Sequence, residues 1–306
     1  MQWKQIKTLF ILCFLILDVY LAVLIINKQD ETEVASMDTA EKSFEQQLDS
    51  EDIAINADLP DKSFEESNVE LKQKSFTEHE LAFFDDIDNQ QTKLIDNKLI
   101  LSRFDEPVSI PDGAGSDKLT KLMKDRVPFF DDYTFGGWNE DMNVLMFFQT
   151  KNDVPIYYNQ NGILLVYLDD DNDMLFYTQT MLVKQNSPTK DEPLIKPIGA
   201  IKKLFNSNRL EYGDKISDVS MGFYTRFPLE GEQVFSPTWT VTINNQNKLY
   251  VNAIENKIYP SDEVTFLTGA VTSTLEKLQT LEKDNELKAY MTAHLKNKLA
   301  MIQDSE

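Results

Sequence analysis

Three acidic runs in this 306-residue chain are, by residue type and spacing, the first places to look for chemistry. In Asp169-Asp170-Asp171-Asn172-Asp173, the alternate carboxylates Asp169, Asp171 and Asp173 match the first three ligand positions of an EF-hand calcium loop. The sixth position is then Met174, where the sharp turn needs Gly, and the twelfth is Thr180, where a bidentate Glu belongs. The flanks read as strands, so the run reads as a polar turn between them. Asp131-Asp132 and Glu140-Asp141 are of the type that glycoside hydrolysis uses in opposed pairs, but nothing in their spacing opposes two groups. The chain has one cysteine, Cys13, and two well-separated histidines, His79 and His294. That removes an internal disulfide, a Cys-based zinc site and a Cys–His nucleophile pair. There are only 10 glycines, and no G-x-S-x-G, H-E-x-x-H or phosphate-cradling Walker loop. The expectation is a protein without catalytic residues, cofactor or metal.

One further polar residue stands out by its surroundings. Asp18 lies in the apolar run from Thr8 to Ile26. Nineteen helical residues at about 1.5 Å each approach the roughly 30 Å hydrocarbon core, which predicts a transmembrane anchor over 8–26. Lys4 and Lys7 precede the run, so residues 1–7 are predicted inside and the body outside. A cleaved signal peptide would have a shorter apolar core and a small-residue site; here Asn27-Lys28-Gln29-Asp30 follows directly. A carboxylate within the bilayer costs about 2.5–3.5 kcal/mol on insertion scales and so is expected to face protein. At helical spacing Asp18 shares a face with Ile11, Phe14, Ala22 and Ile25, and the small Ala22 permits close helix approach. These five residues are the candidate face for a partner transmembrane helix. The alternative is a protonated Asp that the span merely tolerates.

The elements beyond the anchor divide by charge and periodicity. The chain carries 51 acids against 30 Lys and Arg, a net charge of −21, which argues against a nucleic-acid partner. Most of the excess lies in 27–89, where residues 30–88 hold 19 acids and four lysines; this reads as a disordered acidic spacer. Lys-Ser-Phe recurs there at 42–44, 62–64 and 74–76 with irregular spacing, which reads as chance recurrence or as weak docking anchors. From residue 90 strand signals dominate: one strand over Thr92–Phe104, a short helix from Ser116, then strands over Tyr133–Trp138, Asn143–Thr150, Ile156–Tyr158, Ile163–Leu168 and Met174–Leu182. Asn161-Gly162 reads as a hairpin turn with positive φ at both residues. A second block follows, with a helix over Pro197–Phe205 and strands over Val219–Phe227, Pro237–Ile243 and Leu249–Ile254. The strict alternation Pro237-Thr238-Trp239-Thr240-Val241-Thr242-Ile243 predicts a half-exposed sheet. The predicted class is therefore α+β: a single N-terminal transmembrane helix, then two helix-on-antiparallel-sheet subdomains over 90–187 and 188–260. A helical tail over 261–306 carries two apolar stripes, Leu267–Leu278 and Leu287–Leu299.

Several stretches resemble the YycI (WalI) family: Trp3-Lys4 and Lys7-Thr8-Leu9-Phe10-Ile11 leading a span with polar Asp18, then Tyr158-Asn159-Gln160-Asn161-Gly162, Tyr177-Thr178-Gln179-Thr180, Met221-Gly222-Phe223-Tyr224 and Pro237-Thr238-Trp239-Thr240-Val241. Their order and spacing carry the resemblance, over the anchor and roughly residues 90–260. The resemblance implies a non-enzymatic accessory membrane protein of the YycFG (WalRK) two-component system. Such a protein associates with the sensor histidine kinase largely through transmembrane helices, acts with a YycH-like partner, and governs cell-wall metabolism. It also implies an α+β ectodomain related to YycH domains, with a second block resembling PepSY modules. The alternative is a tethered extracytoplasmic binding module for a wall polymer, peptide or metal, independent of a kinase.

Overall fold

The computed structural model describes residues 12, 14, 15, 17, 18, 20, 37–60, 63–185, 190–225, 231–260, 262–282 and 285–303. The chain divides into two compact units, Met1–Ile55 with Asn208–Lys215, and Asn56–Ser207 with Ile216–Glu306.

In the smaller unit, helix α1 (Met37–Ser50) leads through a tight turn to the two-residue strand β1 (Ala54–Ile55). The helix ends in a Schellman motif. Asp52 takes a left-handed φ of 55°, its N–H donates to Asp49 O, and Ile53 N–H reaches back to Leu48 O at 2.9 Å. Ala54 N–H then donates to Asp214 O and Gly213 N–H to Glu51 O, which ties 208–215 to the turn. Phe44, Leu48 and Ile53 are buried. The reading of 27–89 as a disordered spacer therefore fails here, because one apolar residue per helical turn is enough to fold an acidic helix.

In the larger unit the chain runs through β2 (Glu65–Glu66), β3 (Val69–Gln73), the one-turn α2 (Glu78–Leu81), and the hairpin β4 (Gln90–Ile95) and β5 (Leu99–Val108). Helix α3 (Ser116–Lys124) precedes the meander β6 (Tyr133–Asn139), β7 (Val144–Lys151), β8 (Val154–Tyr157), β9 (Ile163–Leu168), β10 (Met174–Gln179) and β11 (Leu182–Lys184). After β12 (Glu192–Pro193) come α4 (Pro197–Asn206), β13 (Lys215–Tyr224), β14 (Glu232–Ile243), β15 (Asn247–Asn252), β16 (Ile258–Tyr259), α5 (Glu263–Leu278) and α6 (Glu286–Gln303).

Most of the strands form one sheet, along the path β11-β3-β14-β13-β8-β7-β9-β10-β5-β4 with β6 beside β7, β15 beside β14 and β16 beside β15, while β2 and β12 pair in a separate two-stranded sheet. Each pair along this path is antiparallel except β8–β13, where Phe223 and Tyr224 pair in parallel with Ile156 and Tyr157. That parallel step joins the two blocks expected as separate subdomains into a continuous sheet. The acidic segment contributes β3, whose Val69–Lys72 pairs with β14 and whose Leu71–Gln73 pairs with β11.

Period-two alternation places the core on both faces of the sheet. Ile163, Leu165 and Tyr167 of β9 pack into one cluster with Leu267, Val271 and Leu278 of α5 and Leu287, Met291 and Leu295 of α6. The intervening Leu164, Val166 and Leu168 pack with Leu119 and Met123 of α3. A sheet covered on both sides reads as continuous apolar runs, as β7, β9 and β10 do. Both C-terminal apolar stripes are thus part of the core. Burial also reaches the polar positions of β14, since Thr238 and Thr240 are no more exposed than Trp239; the half-exposed face predicted there is absent.

Two local expectations fail for identifiable reasons. Thr92–Phe104 is a hairpin rather than one strand, because Asp96 and Asn97 accept φ of 50° and 55° and reverse the chain. Asn161-Gly162 is not a positive-φ turn. The left-handed residue is Tyr158, and Asn159 Oδ1 accepts from Asn161 N–H at 2.9 Å. Gly162 is needed for space instead: a Cβ there would lie 2.6 Å from Leu182 Cδ1.

Candidate functional site

Of the five anchor-face residues, Phe14 and Asp18 are described, and both are helical and exposed. Ile11, Ala22 and Ile25 lie outside the described residues. Leu12, Leu15, Leu17 and Tyr20 are likewise helical and exposed. Among the described residues no helix is long and apolar enough to cross a membrane.

The acidic candidates take structural roles. Asp169–Asp173 is the turn between β9 and β10: Asp169 Oδ1 accepts from Asp171 N–H at 3.0 Å and Asp173 N–H at 2.9 Å, and Asn172 is left-handed. Asn143 Nδ2 braces the turn by donating to Asp169 O and Asn172 Oδ1. Asp131-Asp132 and Glu140-Asp141 flank opposite ends of β6, about 20 Å apart along seven extended residues. Glycosidic carboxyl pairs sit within roughly 10 Å of each other. Asp131 pairs with Lys124 at 2.7 Å on the surface. Burial and the neighbouring Asp131 push the Asp132 carboxyl up from its ordinary range.

Two further clusters were not legible as sites in the sequence. Behind the acidic turn, the Arg103 guanidinium lies 3.8 Å from the Tyr290 ring centroid, and the His294 ring packs against Tyr290 at 4.4 Å between centroids, tilted by 49°. Lys298, one turn on, is 3% exposed. Burial lowers its pKa, and Asp170 and Asp169 act against that shift. Burial, then Lys298 and Arg103, lower the pKa of His294. This cluster seats α6 on β5, β10 and the acidic turn.

The second cluster is a cleft of about 690 Å³ at the β4–β5 turn, bounded by the end of β3 and by α5. Lys72, Lys98 and Lys277 line it, with Gln73, Gln160 and Ser273. A recess of about 20 Å³, lined in part by Thr178, Thr180 and Thr274, lies against it and shares Leu99, Gln160, Ser273 and Lys277 with it.

The polar residues of the stretches that carry the family resemblance work inside the fold. Asn159 Nδ2 donates to Gln233 Oε1 at 2.6 Å, Gln179 Nε2 to Pro128 O at 2.7 Å and Thr180 Oγ1 to Gln160 O at 2.8 Å. Tyr224 and Trp239 are buried; Tyr224 Oη donates to Pro260 O and Trp239 Nε1 to Ile195 O. These aromatics are core.

The large sheet with helices on both faces defines an α+β protein whose signature residues build the fold. The model of the YycI protein family matches residues 32–254, most of the chain, and the chain belongs to that family. No curated protein matches it. Similar solved structures include an uncharacterized protein from Eubacterium rectale, at TM-score 0.40 and 10% identity over 69% of this chain and 91% of that one. YycH from Bacillus subtilis is similar at TM-score 0.40 and 15% identity, over 65% of this chain and 54% of that one. The C-terminal domain of Bacillus megaterium YpeB is similar at TM-score 0.34 and 16% identity, over 74% and 97%.

Proposed function

We propose that this chain is a non-catalytic, membrane-anchored accessory regulator of the YycFG (WalRK) two-component system. Family membership over residues 32–254 carries the reading, because the YycI family is one of regulatory accessory proteins. In this reading residues 8–26 cross the membrane, the N-terminus is cytoplasmic and the body extracytoplasmic. The anchor contacts the sensor kinase through Ile11, Phe14, Asp18, Ala22 and Ile25, and the body pairs with a YycH-like protein. The apolar run from Thr8 to Ile26, and the exposure of Leu12, Phe14, Leu15, Leu17 and Tyr20, support an anchor. Regulation then requires that the anchor bind one signalling state of the kinase more tightly than the other.

Cross-linking and affinity purification from native membranes test this, comparing the intact chain with one whose residues 1–28 are replaced by an unrelated anchor. Recovery of a sensor kinase by the native anchor alone is the expected result. Equal recovery by both chains would move the contact to the body, and recovery by neither would overturn the regulator reading. Asp18→Leu is expected to weaken kinase recovery and alter kinase output; no change in either would remove Asp18 from the contact.

A further inference from the structure

The lysine-lined cleft is out of keeping with the rest of the molecule. Acids outnumber Lys and Arg by 51 to 30, yet three lysines and a single acid, Asp96, line this one concavity among the described residues. Lys72 and Lys98 are exposed, and neither forms an ion pair among the described residues. Like charges gathered in excess of counter-charge raise the local potential and draw anions, the more so within a concave wall.

Neutral donors accompany the cations. Gln73 lines the cleft, and its side-chain Nε2 is buried without a hydrogen-bond partner. An unpaired buried donor is costly, so a ligand acceptor that reached it would relieve that cost. Gln160 lines the same space, and Gly269 of α5 makes room for its amide, since a Cβ there would lie 2.8 Å from Gln160 Nε2. Beside these amides, Thr178, Thr180 and Thr274 line the small recess, the Thr180 and Thr274 hydroxyls donating to Gln160 O and Ala270 O. A volume of about 690 Å³ falls in the range that small-molecule sites occupy, about 300–1,000 Å³.

We propose that this cleft binds a small polar molecule bearing an oxyanion, a carboxylate or a phosphate. Lys72 and Lys98 hold the charge at the rim, and the Gln73 and Gln160 amides take its polar body. Lysines act as point charges and do not select between the two oxyanions, as a planar guanidinium fork would select for bidentate geometry. The inference stands on the body alone and is independent of the kinase contact.

The test is calorimetric titration of the full chain in detergent with two probes and their neutral counterparts. Glycerol 3-phosphate is compared with glycerol, and N-acetylglycine with N-acetylglycinamide. Saturable binding of one or both anions, absent for the neutral counterparts and weakened by added salt, is expected. Binding of one anion alone identifies the source. Lys72→Gln with Lys98→Gln should weaken binding at least about tenfold, which corresponds to about 1.4 kcal/mol. Lys72→Arg with Lys98→Arg should retain it. The proposal is overturned if neither anion binds, if the glutamine pair binds like the parent chain, or if both pairs lose binding equally.

Discussion

Residues 63–89 and the meander from β6 to β11 are both folded, but they are held differently. The meander is gripped along its length: all six residues of β9 and all six of β10 are buried, with core on both faces. The segment 63–89 carries eight acids against two lysines and is gripped at points. Val69 and Leu71 face a small core with Phe235, Phe64 meets Trp239 edge-on at 5.2 Å, and Phe76 packs beside Phe129. Average composition therefore sets how much of a segment faces water, whereas a few apolar residues in the right register decide whether it is ordered. Two of these anchors, Phe64 and Phe76, close Lys-Ser-Phe tripeptides, and Phe44 of the third is buried in the smaller unit.

The largest effect is expected in the meander. Phe147 is fully buried and meets Phe130 and Phe135, each at 5.4 Å between ring centroids. Phe147→Ala should cost about 3–5 kcal/mol, a large share of the roughly 5–15 kcal/mol that stabilises a domain. Denaturant midpoints measure it. Phe76→Ala then asks whether point anchoring is real. Phe76 is 3% exposed, and Lys74 Nζ sits 5.9 Å from its ring centroid and 5.5 Å from that of Phe129. A loss of about 3 kcal/mol with an unchanged denaturant slope is expected. A loss near zero would return the segment to the status of a tether.

Gly162 sharpens the comparison from the side of the meander. With a Cβ 2.6 Å from Leu182 Cδ1, Gly162→Ala should cost about 1–3 kcal/mol by overpacking. Because the cause is the neighbour and not the backbone, Gly162→Ala combined with Leu182→Ala should cost clearly less than the two losses added. Strict additivity would place the fault in the turn.

The α+β class and most strand centres were legible because apolar runs and turn residues are local signals; Ile163–Leu168 has the same bounds in sequence and structure. The pairing of β3 with β14 joins residues far apart in the chain, and a strand of only two buried residues in an acidic context carries too weak a pattern to announce it. The hairpin at Asp96-Asn97 is hidden in the sequence because Thr92–Phe104 mixes apolar and polar residues throughout, so the polar Asp96-Asn97-Lys98 does not stand out as a turn. The lysine cleft was illegible for a related reason. Lys72, Lys98 and Lys277 lie on three separate elements, and no spacing in the chain anticipates their meeting.

Acid should loosen the point-held segment through one residue. Thr77 and Glu80 form a capping box at α2: Thr77 N–H donates to Glu80 Oε2 at 2.8 Å, and Lys74 Nζ pairs with Glu80 Oε1 at 2.6 Å. The Lys74 bond and the Thr77 N–H hold the Glu80 carboxyl down from 4.5 to about 2. A depressed carboxylate stabilises the fold above its unfolded value, and that contribution disappears as pH falls from 4.5 through about 2. Glu80→Gln keeps a residue that can close the capping box but loses the Lys74 ion pair, so it should cost at most about 1 kcal/mol at neutral pH and flatten that acid limb, as measured by denaturant midpoints across pH.

The smallest effect is expected on the sheet side, at His294. Its ring lies among Tyr290, Phe176, Arg103 and Lys298, with Asp169 and Asp170 opposing from the turn. Burial comes first and the two cations after it in lowering its pKa below 6.5. A histidine held neutral in the folded state binds fewer protons than in the unfolded chain once pH drops below 6.5. The stability it leaves intact above 6.5 is therefore lost as pH falls from 6.5 through the lower folded value. This loss begins near 6.5 and that of Glu80 near 4.5, so the two regions enter one stability profile at different pH. His294→Gln should remove the upper step and leave the lower one, and Glu80→Gln should do the reverse. If His294→Gln left the upper step in place, the packing of α6 on Arg103 and the acidic turn would not be what senses pH in that range.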